Sequence, residues 1–114
     1  MTETEFRKLA LTFPETEEKS HFGKADFRVK NKIFATLLDA NAGVVKLLPE
    51  QQNMIVASEP NIFSPIKGGW GNQGWTRIQL DLIDLITAKS ALKMAWNNVA
   101  PKTLQRVGTG VSPR

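Results

Sequence analysis

Apolar residues change their spacing twice along this chain, and that change restricts the fold more than any motif does. Phe6, Leu9, Ala10 and Phe13 fall at the i, i+3, i+4, i+7 spacing of one helical face. Thr2 followed by Glu5 is a capping-box pattern that starts such a helix, and Pro14 stops it. After the acidic loop Glu15-Thr16-Glu17-Glu18, the period falls to two. Phe27 and Val29 alternate with Arg28 and Lys30, and Asn31-Lys32 reads as a two-residue turn. Ile33, Ala35 and Leu37 continue the buried face on a partner strand. Asp39-Ala40-Asn41-Ala42-Gly43 turns the chain again into Val44-Val45-Lys46-Leu47-Leu48.

Helical signals then return. Pro49 suits a first helical position and starts a short helix through about Ala57. Residues 60–65 read as an irregular or short-strand connection. Ile78, Leu80 and Leu82 alternate with Arg77 and Gln79 in a last strand. A C-terminal helix begins near Asp84 or Thr87, with Leu85, Ala88, Leu92, Ala95 or Trp96, and Val99 on its apolar face. Pro101 ends it. The order helix, strands, helix, strands, helix predicts a two-layer α+β fold, with an antiparallel sheet of about five strands and helices packed on one face. One domain over residues 1–107 is expected, followed by a mobile tail over residues 108–114.

Composition removes several classes of function. The chain has no cysteine, which excludes disulfides, thiolate metal sites and cysteine nucleophiles. His21 is the only histidine, and the carboxylates are dispersed, so neither a metal site nor a cofactor is expected. His21 is read as a local hydrogen-bonding residue beside the first strand, and the chain as a binding module rather than an enzyme. Glu17 and Glu18 are adjacent and point apart in an extended chain, which makes them a poor acid–base pair. No apolar run approaches the ~20 residues of a membrane helix. Leu80 to Ile86 is interrupted by Asp81 and Asp84, and the acidic start Met1-Thr2-Glu3-Thr4-Glu5 is unlike a signal peptide. A soluble, cytoplasmic monomer is expected.

Two segments are candidates for function. Residues 19–32 concentrate Lys19, Lys24, Arg28, Lys30 and Lys32 against the single acid Asp26, within a chain of net charge +4. Arg28 and Lys30 are expected on the outward face of one strand, with Lys32 at the turn and Lys24 before it. A basic hairpin of this kind can lie along phosphates as a wing, without reading bases. Lys24, Arg28, Lys30 and Lys32 are therefore the candidate nucleic-acid contacts, with Arg77 on the last strand as a weaker one. The same charges would serve as the ordinary solvent face of an edge strand.

The second segment is Gly68-Gly69-Trp70-Gly71-Asn72-Gln73-Gly74-Trp75. It lacks the Lys-Ser/Thr of a phosphate loop, and no helix is expected directly behind it. Trp70 or Trp75 is expected to cover the end of the core, with a ligand site around His21, Trp70 and Trp75 as the alternative.

Several runs, taken together and in order, resemble the MmcQ/YjbR family. They are Phe13-Pro14-Glu15-Thr16-Glu17-Glu18, His21-Phe22-Gly23, Phe27-Arg28-Val29, Lys32-Ile33-Phe34-Ala35, Leu47-Leu48-Pro49-Glu50-Gln51, the Gly71 to Trp75 loop, and Ala95-Trp96-Asn97-Asn98-Val99-Ala100-Pro101-Lys102. Ser58 to Ile66 departs from the pattern. The resemblance implies a fold similar to secretion-chaperone-like α+β proteins and a double-wing, DNA-binding role. It implies no reaction or cofactor. A protein-interaction module is the competing expectation.

Overall fold

Thr2 caps the first helix in the computed structural model, which describes residues 1–104. The Glu5 amide donates to Thr2 Oγ1 at 3.1 Å, and the Thr2 amide donates to the Glu5 carboxylate at 2.7 Å. Both orphan amides are thereby satisfied, and α1 (Glu3–Leu11) turns Phe6, Leu9 and Ala10 inward. The expected boundary at residue 107 and the tail over residues 108–114 lie outside the described residues.

Six strands follow: β1 (Thr16–His21), β2 (Lys24–Val29), β3 (Lys32–Asp39), β4 (Ala42–Lys46), β5 (Phe63–Pro65) and β6 (Trp75–Gln79). They form one antiparallel sheet in the spatial order β1-β2-β3-β4-β6-β5. Helix α2 (Pro49–Ser58) and the single turn α3 (Gly69–Asn72) flank β5, and α4 (Leu85–Val99) closes the fold. Asp84 accepts the Thr87 amide at 2.7 Å, so of the two expected caps Asp84 is the one used. Helices α1 and α4 pack on one face of the sheet, which makes a two-layer α+β fold. Between the layers lie Phe6, Phe13, Phe27, Phe34, Phe63, Ile78, Leu92 and Trp96.

Three local expectations are corrected. Thr16, Glu17 and Glu18 of the acidic loop are instead the first half of β1, because Thr16 to His21 pair with β2 through backbone hydrogen bonds that no apolar alternation advertises. As an edge strand, β1 carries Glu17, Glu18 and Lys19, charges that discourage edge-to-edge association. Glu18 also meets Arg7 of α1 at 3.0 Å.

The β2–β3 turn is Lys30-Asn31, one residue earlier than read, since Val29 pairs with Lys32. Lys30 and Asn31 both have positive φ (49° and 65°), the geometry that suits the twist of a two-residue hairpin. A bulge absorbs the offset: Arg28 faces Ile33 while Phe27 faces Ala35, leaving Phe34 as the extra residue. The third correction concerns the glycine-rich segment. Trp70 is 62% exposed and Trp75 half-buried, and neither belongs to the core, whose tryptophan is Trp96 at 1% exposure.

Candidate binding surface on the open face of the sheet

Strand register sorts the side chains into two faces. Phe27, Ala35 and Val45 pair across the sheet on the face under α1 and α4. The alternating row, Lys19, Asp26, Thr36, Val44 and Arg77, lies on the opposite face. His21, Lys24, Arg28, Lys46 and Trp75 share that open face by the same period of two.

A cavity of about 260 Å³ occupies the open face. Ile33, Thr36 and Leu38 of β3 and Val44 of β4 form its floor. His21 of β1 stands at one side, and Ile66, Trp70 and Trp75 stand at the other, beyond β4 in the strand order. The two indoles meet edge to face, with centroids 6.0 Å apart and planes at 73°. Lys46 Nζ lies 5.6 Å from the centre of the Trp75 ring, within cation–π range.

Beside His21 is a charged cluster that does not reach solvent freely. The Asp26 carboxylate is fully buried, at 0% exposure. Oδ1 accepts from Arg28 Nε at 2.7 Å, and Oδ2 accepts from Arg28 Nη2 at 3.0 Å and lies 2.6 Å from His21 Nδ1. The Arg28 guanidinium holds the Asp26 carboxyl below the usual aspartate range, against the opposing effect of burial, and His21 adds to the lowering. Because an ionised carboxylate only accepts, the ring directs an Nδ1–H at Asp26 and leaves Nε2 as the nitrogen free of it. Among the described residues, no group of three or more His, Cys, Asp or Glu side chains is arranged to hold a metal ion.

This cluster has a pH signature. The unfolded-state value for aspartate is about 3.9, and the folded-state value is lower, so ionised Asp26 stabilises the fold fully above that range. The contribution is lost as pH falls through the lowered folded value. Asp26→Asn is expected to cost about 2–3 kcal/mol at pH 7, because Arg28 can turn to water and relieve part of the loss. In urea titrations across pH 2–7 the variant should also lose stability less steeply with acid. Residual dependence should come from Glu5 and Asp84, whose carboxylates accept amides at helix starts. An unchanged pH profile would remove Asp26 from the explanation.

The five cations read from sequence are divided by this geometry. Lys24, Arg28 and Arg77 lie on the open face. Arg28 is committed to Asp26 and also donates to Asn31 at 3.1 Å, so it does not project freely as expected. Lys24 Nζ donates to the Leu38 carbonyl at 2.9 Å, and Arg77 donates to Gln79 at 2.8 Å. Lys30 sits in the turn rather than on the strand face. Lys32 pairs with inward-facing Val29 and so belongs to the helix side, although it is exposed. The surface adds Asp26, Val44 and Lys46, which the sequence reading left out, and Ile33, which it placed on the buried face with Ala35 and Leu37 but which the bulge turns to the open one. Asp26 alone carried a signal, as the one acid two residues from Arg28 in an alternating strand.

Helices that back one face of an antiparallel sheet, with the other face open and hollowed, define this protein as a two-layer α+β domain with a surface cavity. The chain belongs to the YjbR family, which it matches over residues 11–98, well over half its length. The crystal structure of the Deinococcus radiodurans protein DR2400, with a DUF419 domain, has the same fold at a TM-score of 0.73 and 18% identity. That match covers 96% of this chain and 88% of the other. A protein from Pseudomonas syringae matches at a TM-score of 0.70 and 15% identity, over 86% of this chain and 98% of its own. No curated protein matches the sequence.

Proposed function

We propose that the chain is a nucleic-acid-binding module that acts without catalysis, as a cytoplasmic monomer, and holds a single strand across the open face of its sheet. One observation carries this reading: Lys24, Lys46 and Arg77 share a face with Trp70 and Trp75. Single-strand sites combine a cationic track for phosphates with aromatic rings for bases, and such binding is tolerant of sequence. Lys30 in the hairpin turn and Lys32 on the helix side lie off this track. Arg28 contributes less, since Asp26 already balances its charge.

Salt dependence tests the reading. Each neutralised phosphate on a single strand contributes a log–log slope of about −0.7, so three engaged cations correspond to a slope of about −2. The expected result is that Lys46→Gln with Arg77→Gln flattens the slope for an oligothymidylate by about 1.4. A slope that responds only to Lys30→Gln with Lys32→Gln would move the contact to the hairpin tip. Absence of binding at low salt would overturn the reading. It would favour a protein-interaction module, for which the 97% exposed Phe22 at the β1–β2 turn is the specific support.

A further inference from the structure

The cavity on the open face is a place for one particular part of such a strand. Its volume of about 260 Å³ falls just under the ~300–1,000 Å³ of sites that take drug-sized ligands, so its occupant is no larger than a small ring system. The aliphatic floor and the indole wall suit a flat, apolar surface. Besides the Thr36 hydroxyl in the floor, an oriented polar ring faces them. His21 is 41% exposed at its side chain, lines the cavity, and has Nδ1 held by a carboxylate that is itself fully buried. Asp26 thus sets the ring's orientation and leaves Nε2 as the nitrogen open to a ligand. Cations stand at both sides: Lys24 opposite His21 in the strand register, and Lys46 against Trp75. That arrangement complements a flat group carried between phosphates.

We infer that the cavity between His21 and the Trp70–Trp75 pair seats one unpaired nucleobase, its ring against the indoles and an N–H on its edge donating to His21 Nε2. The inference rests on the single-strand reading and adds the component that is recognised. A duplex cannot supply this component without unpairing, which gives the open face a preference for single strands. Phosphates hold the strand in place, and the base supplies the extra affinity.

Three probes separate the parts: an oligothymidylate, a strand of equal length and charge built from abasic sites, and thymidine 5′-monophosphate. Binding is read at low salt by anisotropy for the strands and by tryptophan emission for the monophosphate. The oligothymidylate is expected to bind about tenfold or more tightly than the abasic strand, the scale of one base stacked on an aromatic ring. The monophosphate is expected to quench tryptophan emission. Trp70→Ala, at a position 62% exposed, should remove most of the difference between the two strands, and His21→Ala should remove part of it. Neither change should alter the affinity for the abasic strand. Equal binding of both strands overturns the seated base while leaving the strand reading intact. Quenching by the monophosphate with no binding of either strand keeps the cavity assignment and removes the strand. Failure of all three probes removes both.

Discussion

Replacing Gly74 by alanine is expected to cost more than about 4 kcal/mol, a loss reserved for a few severe mechanisms, of which backbone strain and overpacking act here together. Gly74 has φ near +105°, a conformation that residues with a Cβ rarely adopt. A Cβ at this position would overlap the Leu47 carbonyl oxygen, which is backbone and has no rotamer to escape into. The Gly74 carbonyl also accepts the Leu47 amide at 3.0 Å and Thr76 Oγ1 at 2.9 Å. Thr76 in turn accepts from the buried Gln52 side chain at 3.1 Å, so displacement of Gly74 loosens α2 from β6. Gly23→Ala is the control. Its φ is +77°, but nothing lies within 4 Å of the added carbon, and a cost of about 1–2 kcal/mol from conformation alone is expected. Urea denaturation of the two variants separates overlap from strain. Equal losses would mean that the Leu47 backbone yields and the overlap contributes nothing.

Trp96→Ala is expected to cost about 3–5 kcal/mol, the range for a large aromatic removed from a packed core. Trp96 is among the largest of the fully buried side chains. Its ring stacks on Phe13 at 6.1 Å and 29°, and Phe13 meets Phe34 edge to face at 6.5 Å. Its Nε1 donates to the Pro14 carbonyl at 3.1 Å, which ties α4 to the turn between α1 and β1. Trp96→Phe should keep most of the packing and cost about 1–2 kcal/mol, close to the value of the lost hydrogen bond. Trp70→Ala should cost under about 1.5 kcal/mol, because it removes only an exposed ring and its edge contact with Trp75. A Trp70→Ala loss as large as that of Trp96→Ala would restore the glycine-rich segment as the core's anchor.

The elements that sequence made legible are those held by near neighbours. Thr2 and Glu5 are three residues apart and cap each other, so α1 was readable to its first residue. Pro49, Asp84 and the period of 3.6 marked α2 and α4 for the same reason. Phe27 and Val29 face the core as their alternation required. The one-residue slip of the turn arose where alternation is blind, since the bulge at Phe34 lets two successive residues of β3 be buried without breaking the pattern around them. Strand β1 was hidden for a related reason. An edge strand exposed on both faces has no apolar period, and only the β2 backbone beside it makes it a strand.

The candidate surface divides in the same way. Residue types were visible along the chain: the cluster of cations, the lone histidine and the tryptophans among glycines. Sequence alone determined α1, α2, α4, the inner strands and which chemical groups the protein owns, because these follow from composition and from contacts within a few residues. Only the tertiary structure decided that His21 of β1, Val44 of β4 and Trp70 of α3 line one cavity, and that Trp96 rather than Trp75 fills the core. Register across four strands and the choice of face for α1 and α4 set those outcomes. Both depend on closing long loops and burying the whole apolar face at once, a free-energy balance that no local stretch of the chain contains.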